Sequence, residues 1–334
     1  MAARRAGLPL WAKLAAGAFA LFAIVSVAAF LWVQAQWQGE PAPDGAVVEV
    51  EIPRGASLTA AAQALANAGL VGEPRAFVLA ARLLGGSQPI HYGLYGFIPG
   101  EGWGVMLDRM QRGDVVTIRI TIPEGLPSIL VAERLMAQPR LVGEVDIPPE
   151  GSVLPATYEA HPGDERAVVL DQMQTEMTRV LDTLWAQRKP HSVVKSKKDA
   201  IILASIVEKE TAVPEERRRI AGLYSNRLER GMRLEADPTV IYPITKGKPL
   251  GRRIRRSELA ADHGYNSYLK AGLPIGPIAN PGRASIEAVL DPEQHDYVFM
   301  VADGSGGHAF ARTFSEHRAN VAKWYAIRRE RGEM

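Results

Sequence analysis

The chain has 334 residues, room for about two domains, and 47% of them are hydrophobic against 23% charged, so packed cores are expected. The 39 Lys and Arg nearly balance the 37 Asp and Glu, and a net charge of +2 argues against a protein built to coat nucleic acid. Cysteine is absent, which excludes disulfide scaffolds, thiolate metal sites, iron–sulfur clusters and thiol nucleophiles.

The first element is apolar. No residue between Lys13 and Glu40 is charged, and the densest stretch, 14–33, would span about 30 Å as a helix, the thickness of a bilayer core. A transmembrane helix is expected there, with 1–13 as a cytoplasmic tail and 34–46 as a tether. Arg4, Arg5 and Lys13 precede the run and no Lys or Arg follows until Arg54, so the positive-inside rule places Met1 in the cytoplasm and everything after Trp37 across the membrane. Trp32 and Trp37 sit where interfacial anchors belong. A cleaved signal peptide is the rival reading, but the run is long for a signal core.

Val48, Val50 and Ile52 alternate with Glu49 and Glu51, predicting a half-buried strand, and Leu58–Leu70 has helical spacing. The phrase returns at Val116–Ile122, followed by Pro123-Glu124-Gly125 and a helix through Leu135, suggesting two strand–turn–helix copies. Helices are expected near 76–84 and 103–110, so 47–120 reads as a small α+β module. A Pro/Gly/Glu-rich crossing at 139–165 leads to a helix over 165–187, and the lysines at 195–198 read as a solvated face.

The next helix, from Asp199, carries the strongest chemical signal. Residues 200–207 are apolar on every side apart from Ser205, so the helix belongs inside a domain, and Glu208-Lys209-Glu210 follows before any turn. Glu210 lies three and four positions beyond Val207 and Ile206, and Glu208 four beyond Ala204. Either carboxyl could face a dry region, where its pKa would rise toward that of a general acid, or could end in water or an ion pair. Pro214 opens a further helix that Gly231 can cap. Glu235–Val240 reads as a turn entering a strand, with Asp237 in the turn in preference to capping or hydrogen-bonding a ligand, and the arginines at 252–256 as a basic surface.

Tyr265, Asn266, Tyr268 and Asn280 lie among Gly/Pro hinges, a pattern that suits either a carbohydrate groove, with rings stacking on sugars, or a structural loop. A short helix at 285–290, a central strand at 297–301, a glycine turn at 304–307 leading into His308, and an amphipathic helix at 314–329 complete the chain. The seven histidines are scattered, with no HExxH and no GxSxG, so no metal or cofactor is expected.

The phrases Ser205–Thr211, Asn226-Arg227-Leu228, Gly231–Leu234, Asp237–Tyr242, Tyr265–Tyr268, Gly272–Pro274, Ile278–Gly282 and Phe299–Phe310 together resemble the YceG-like family of endolytic murein transglycosylases. The resemblance covers nearly all the chain beyond the apolar run. It implies an α+β protein with one N-terminal transmembrane helix, a LysM-like module at 47–120 and a mixed α+β catalytic domain at 121–330. It also implies a periplasmic catalytic domain on the bacterial inner membrane, peptidoglycan glycan strands as substrate, and peptidoglycan synthases and division machinery as partners, with no nucleic acid. Glu210 falls on the family's catalytic glutamate, in preference to Glu208. The candidate substrate-binding residues are Asn266, which falls on a family motif, with Tyr265, Tyr268, Asn280 and His308. One position departs: the family often carries Phe-Pro-Asp-Thr-Tyr where this chain reads Leu154-Pro155-Ala156-Thr157-Tyr158, so Ala156 supplies no acid. The implied reaction cleaves within a nascent strand, between N-acetylmuramic acid and N-acetylglucosamine, leaving a 1,6-anhydro end and terminating elongation. A membrane-tethered peptidoglycan-binding protein with weak catalysis, or an ordinary glycan hydrolase, are the alternatives.

Overall fold

The computed structural model describes residues 9–40 and 43–333. Most of the expected cytoplasmic tail and two residues of the expected tether lie outside those. The chain divides between Thr117 and Ile118 into two compact units.

In the first unit, α1 (Leu10–Gln38) carries an apolar stretch long enough to cross a membrane and buries none of it. It runs beyond 33 into the expected tether. Gly39 then bridges to Glu101, and the Glu40 N–H donates to the Gly100 carbonyl at 2.9 Å, so the chain leaves the helix already bound to structure. The rest of the unit is β1 (Val48–Ile52), α2 (Leu58–Asn67), α3 (Pro74–Leu84), β2 (Gly93–Phe97) and α4 (Trp103–Arg112). The two strands are antiparallel, with Val48 opposite Phe97 and Ile52 opposite Gly93. Alternation puts Val50 and Ile52 on the buried face, over Leu65, Phe77, Trp103, Met106 and Met110. The Ser57 hydroxyl accepts from the Ala60 N–H at 3.2 Å and starts α2.

The second unit begins with β3 (Ile118–Thr121), α5 (Ser128–Met136) and β4 (Thr157–Ala160), and β3 pairs antiparallel with β4. The strand–turn–helix phrase thus forms twice, once in each unit. Both turns use a left-handed glycine, Gly55 at φ 77° and Gly125 at φ 71°. α6 (Arg166–Ala186) joins two cores. Its first half packs with Ile120, Ile122 and Tyr158, and its second half with α7 (Lys197–Glu210), α8 (Arg217–Glu229) and α11 (Arg283–Leu290). The short α10 (Arg256–Leu259) precedes the 260–282 loop.

At the centre lies α7, with all eight residues from Ala200 to Val207 buried. Ser196 caps it by accepting from the Asp199 N–H, and the extended backbone of Thr211 ends it directly after Glu210. Two expectations are corrected here. Residues 237–245 form a helix, α9 (Asp237–Thr245), where a strand was expected. Asp237 and Pro238 are strong first-turn residues, and they outweigh the β-branched run Thr239-Val240-Ile241. The strand expected to be central, β5 (Phe299–Ala302), pairs only with β6 (His308–Ala311) and is half-buried throughout, the pair being backed by α12 (Phe314–Glu330). Left-handed Gly304 and Gly306 make the β5–β6 turn.

Candidate active site

The end of α7 separates its two carboxylates by about 200° of helix rotation, and their surroundings differ accordingly. Glu208 is satisfied: its Oε2 accepts from the Gly282 N–H at 2.9 Å, and Arg217 Nη2 stands 3.8 Å from its Oε1. It ties the 280–282 loop to the helix. Glu210 keeps part of its surface open, yet its Oε1 is sealed from solvent and has no hydrogen-bond partner. Burial pushes its pKa up to about 7, and the Asp237 carboxylate adds to the rise. The Tyr224 hydroxyl, which hydrogen-bonds the carboxyl, and the charges of His308 and Arg227 oppose it.

Three elements, α8, α9 and β6, and the segments beside them supply the surroundings. Tyr224 of α8 is fully buried, and burial, then the neighbouring Glu210, drives its own pKa well up. Arg227, one turn further, is a buried cation held by carbonyls: its Nε donates to Val298 O at 2.6 Å and its Nη1 to Leu234 O at 2.8 Å, with Glu235 at 3.3 Å. Asp237, in the first turn of α9, accepts from the Tyr268 hydroxyl at 2.6 Å. His308 of β6 is clamped by Glu216, which accepts from the His308 backbone N–H at 2.8 Å and lies 2.7 Å from its Nδ1. A carboxylate acceptor requires the proton on Nδ1 and leaves Nε2 to face other groups.

The expected substrate-binding residues fall into two groups. Tyr268 and His308 belong to the surroundings of Glu210, as their electrostatic coupling to it shows. Asn266 and Asn280 are buried, and their amides are occupied by protein. Asn266 Nδ2 donates to the carbonyls of Leu259 and Ala261, and its Oδ1 accepts from the Tyr268 N–H. Asn280 accepts from the Val153 N–H and donates to Leu126 O and Ser128 Oγ. In this structure both hold loops, Asn266 directly beneath Tyr268. Tyr265 packs at 5.0 Å against Tyr242 of α9, whose pKa is raised by burial and then by Glu150. Ala156 sits just before β4 against the first core of the second unit, and its carbonyl accepts from the Ile122 N–H.

Sequence reasoning missed Tyr224, Glu216 and Arg227 as parts of this site, and preferred a turn role for Asp237 over capping or bonding a ligand. Each meets Glu210 or His308 across the fold, so no local spacing announces it. Among the described residues, no group of three or more His, Asp or Glu could hold a metal ion.

An acid at a helix end with its pKa raised to about 7, flanked by tyrosines and a clamped histidine on a mixed α+β scaffold, is an arrangement that can give and take a proton near neutral pH. Residues 50–323 match the YceG-like family, and the chain belongs to it. An endolytic murein transglycosylase of Bacillus subtilis is 26% identical over 317 residues, covering 85% of this chain and 86% of its own length. A Streptococcus pneumoniae protein of the same name is 32% identical over 180 residues, 52% of this chain and 32% of its own length. The crystal structure of a yceG-like protein from Listeria monocytogenes shares the fold with a TM-score of 0.50 at 26% identity, covering 83% of this chain and 99% of that one.

Proposed function

We propose that this chain is a membrane-anchored endolytic murein transglycosylase with Glu210 as its catalytic acid and base. The observation that carries the reading is the sealed, unpartnered Oε1 of Glu210 on a carboxyl with a pKa of about 7. The names of the relatives agree with it. Protonated Glu210 donates to the glycosidic oxygen on the N-acetylglucosamine side as the bond to C1 of N-acetylmuramic acid breaks. The C6 hydroxyl of that same muramic acid attacks C1 and returns its proton to Glu210. The products are a free 4-hydroxyl and a 1,6-anhydro ring, with no water consumed and the acid restored. Because the nucleophile belongs to the substrate, its effective concentration is high and neither a water nor a second carboxylate is required. Tyr268 and His308 border the place where the sugar would enter, and Tyr265, Asn266 and Asn280 support that loop region.

The anchor reading makes α1 a membrane span with Met1 in the cytoplasm, which puts the second unit where glycan is assembled in the periplasm. The antiparallel strand pair over α2 and α3 supports a LysM-like, glycan-contacting role for the small module. Peptidoglycan synthases and division proteins are the partners such an activity would serve. Incubating the full chain in detergent with uncrosslinked glycan and weighing the products tests the reading. Anhydro ends are expected. Ends carrying an added water would make it a hydrolase, and intact strands a binding protein.

A further inference from the structure

The first unit carries an apolar surface that its own core leaves uncovered. On α3, Phe77, Ala80 and Ala81 face inward, while Leu79 is 60% and Leu83 74% exposed. Leu79 and Leu83 are four positions apart and share a face with Arg75 and Arg82. Neither arginine has an ionic partner among the described residues. Leu84, and Val105 on α4, are exposed as well. An amphipathic helix with leucines and unpaired arginines on its outer face has the composition of an element that lies in a membrane interface.

Where this surface sits decides its partner. From Leu10 to Leu31 nearly every residue of α1 is exposed, about 33 Å of helix and enough to fill a bilayer core. Beyond it, the module closes on the helix: Trp32 meets Trp103 edge-on at 5.7 Å, and Val33 and Trp37 pack against the module core. Trp37 lies against Gly85, directly after α3, and against Gly104 of α4, where a Cβ would crowd its ring. Trp32, about 1.5 Å beyond Leu31 along the axis, falls within the headgroup layer, about 5–7 Å deep on each face, and Trp37, about 9 Å beyond, lies just past it. The module is therefore held against the foot of the helix, where α1 packs on both α3 and α4.

We infer that the outer face of α3, with Val105 of α4, lies in the lipid headgroup region of the bilayer that α1 crosses, Leu79, Leu83 and Leu84 dipping toward the acyl chains and Arg75 and Arg82 meeting anionic headgroups. The inference rests on the membrane-anchor reading of α1. It makes the first unit a three-point mount, one spanning helix and two elements seated on the lipid.

Because the chain has no native cysteine, single labels can be placed freely. The full chain is reconstituted one copy per nanodisc, in phosphatidylcholine with phosphatidylglycerol, as Leu83→Cys, Phe22→Cys and Gln63→Cys, each carrying a polarity-sensitive dye. The Leu83 label should emit to the blue of the Gln63 label, be quenched by spin-labelled lipid near the headgroup, and be protected several-fold from iodide. The Phe22 label should be quenched at the bilayer centre. A Leu83 label as wet as the Gln63 label, with Phe22 in lipid, overturns the inference and leaves the anchor reading standing. A wet Phe22 label overturns both. As a second measurement, the pair Leu79→Asp and Leu83→Asp should raise iodide access several-fold at a Val105→Cys label. Unchanged access there overturns the seated face.

Discussion

Replacing Glu210 with glutamine should abolish anhydro-end formation and, at neutral to alkaline pH, stabilise the protein. The unfolded carboxyl titrates near 4.5 and the folded one near 7. The folded state therefore holds the proton more tightly, so the group destabilises the fold progressively as pH rises through 4.5 to about 7, and the loss is complete above that. At about 1.4 kcal/mol per tenfold difference in proton affinity, the cost of leaving this acid ionised is about 3 kcal/mol. Glutamine stays neutral and escapes it. The assay is amide exchange along the buried segment 200–207, compared between parent and Glu210→Gln at the same pH, so that intrinsic exchange rates cancel. At pH 5 the variant should be protected by only about fourfold, and at pH 8 by a factor of about a hundred or more, following the same free energy. A protection ratio that does not change between pH 5 and pH 8 would refute the claim that this carboxyl is held dry.

The neighbours tune the same group in opposite directions. Asp237→Asn removes a negative charge and should move the alkaline limb of the pH–rate profile toward acid, whereas Tyr224→Phe removes a donor and should move it toward base. Glu208→Gln should retain the anhydro product while lowering thermal stability, because it weakens the link from Arg217 and Gly282 to α7. Asn280→Ala should cost about 2 kcal/mol, since it leaves the Val153 N–H without a buried partner while the Leu126 carbonyl keeps the backbone N–H of residue 280, and the melting temperature would report it.

Legibility followed the range of the interaction that decided each feature. Composition alone reveals a helix long and apolar enough for a membrane, and the run 200–207 marks the buried helix that carries Glu210. The strand expected to start within Glu235–Val240 gave way to α9 because Asp237-Pro238 starts a helix. Gly39 and Glu40 find their partners at Glu101 and Gly100, some sixty residues away, where local composition does not reach. Asn280 looks like a ligand residue among Gly and Pro, yet its oxygen serves Val153, 127 residues back. Tyr224 reads as one more buried aromatic until α8 packs beside α7. Residue spacing alone left the two glutamates, two positions apart, alike, and only packing ties Glu208 to Gly282 and leaves the Oε1 of Glu210 without a partner.

A helix enclosed on all sides has no face along which it can slip. Ala200 to Val207 engage neighbours in every direction, Ser205 among them through the Ile278 N–H. One inserted residue would rotate Glu210 by about 100° away from Tyr224 and Asp237. The angular aim of the Glu210 carboxyl is therefore stored in the interior of the domain, several turns upstream of it, and if Glu210 is the acid proposed above, volume changes in apolar residues that never meet a sugar should surface as lost turnover.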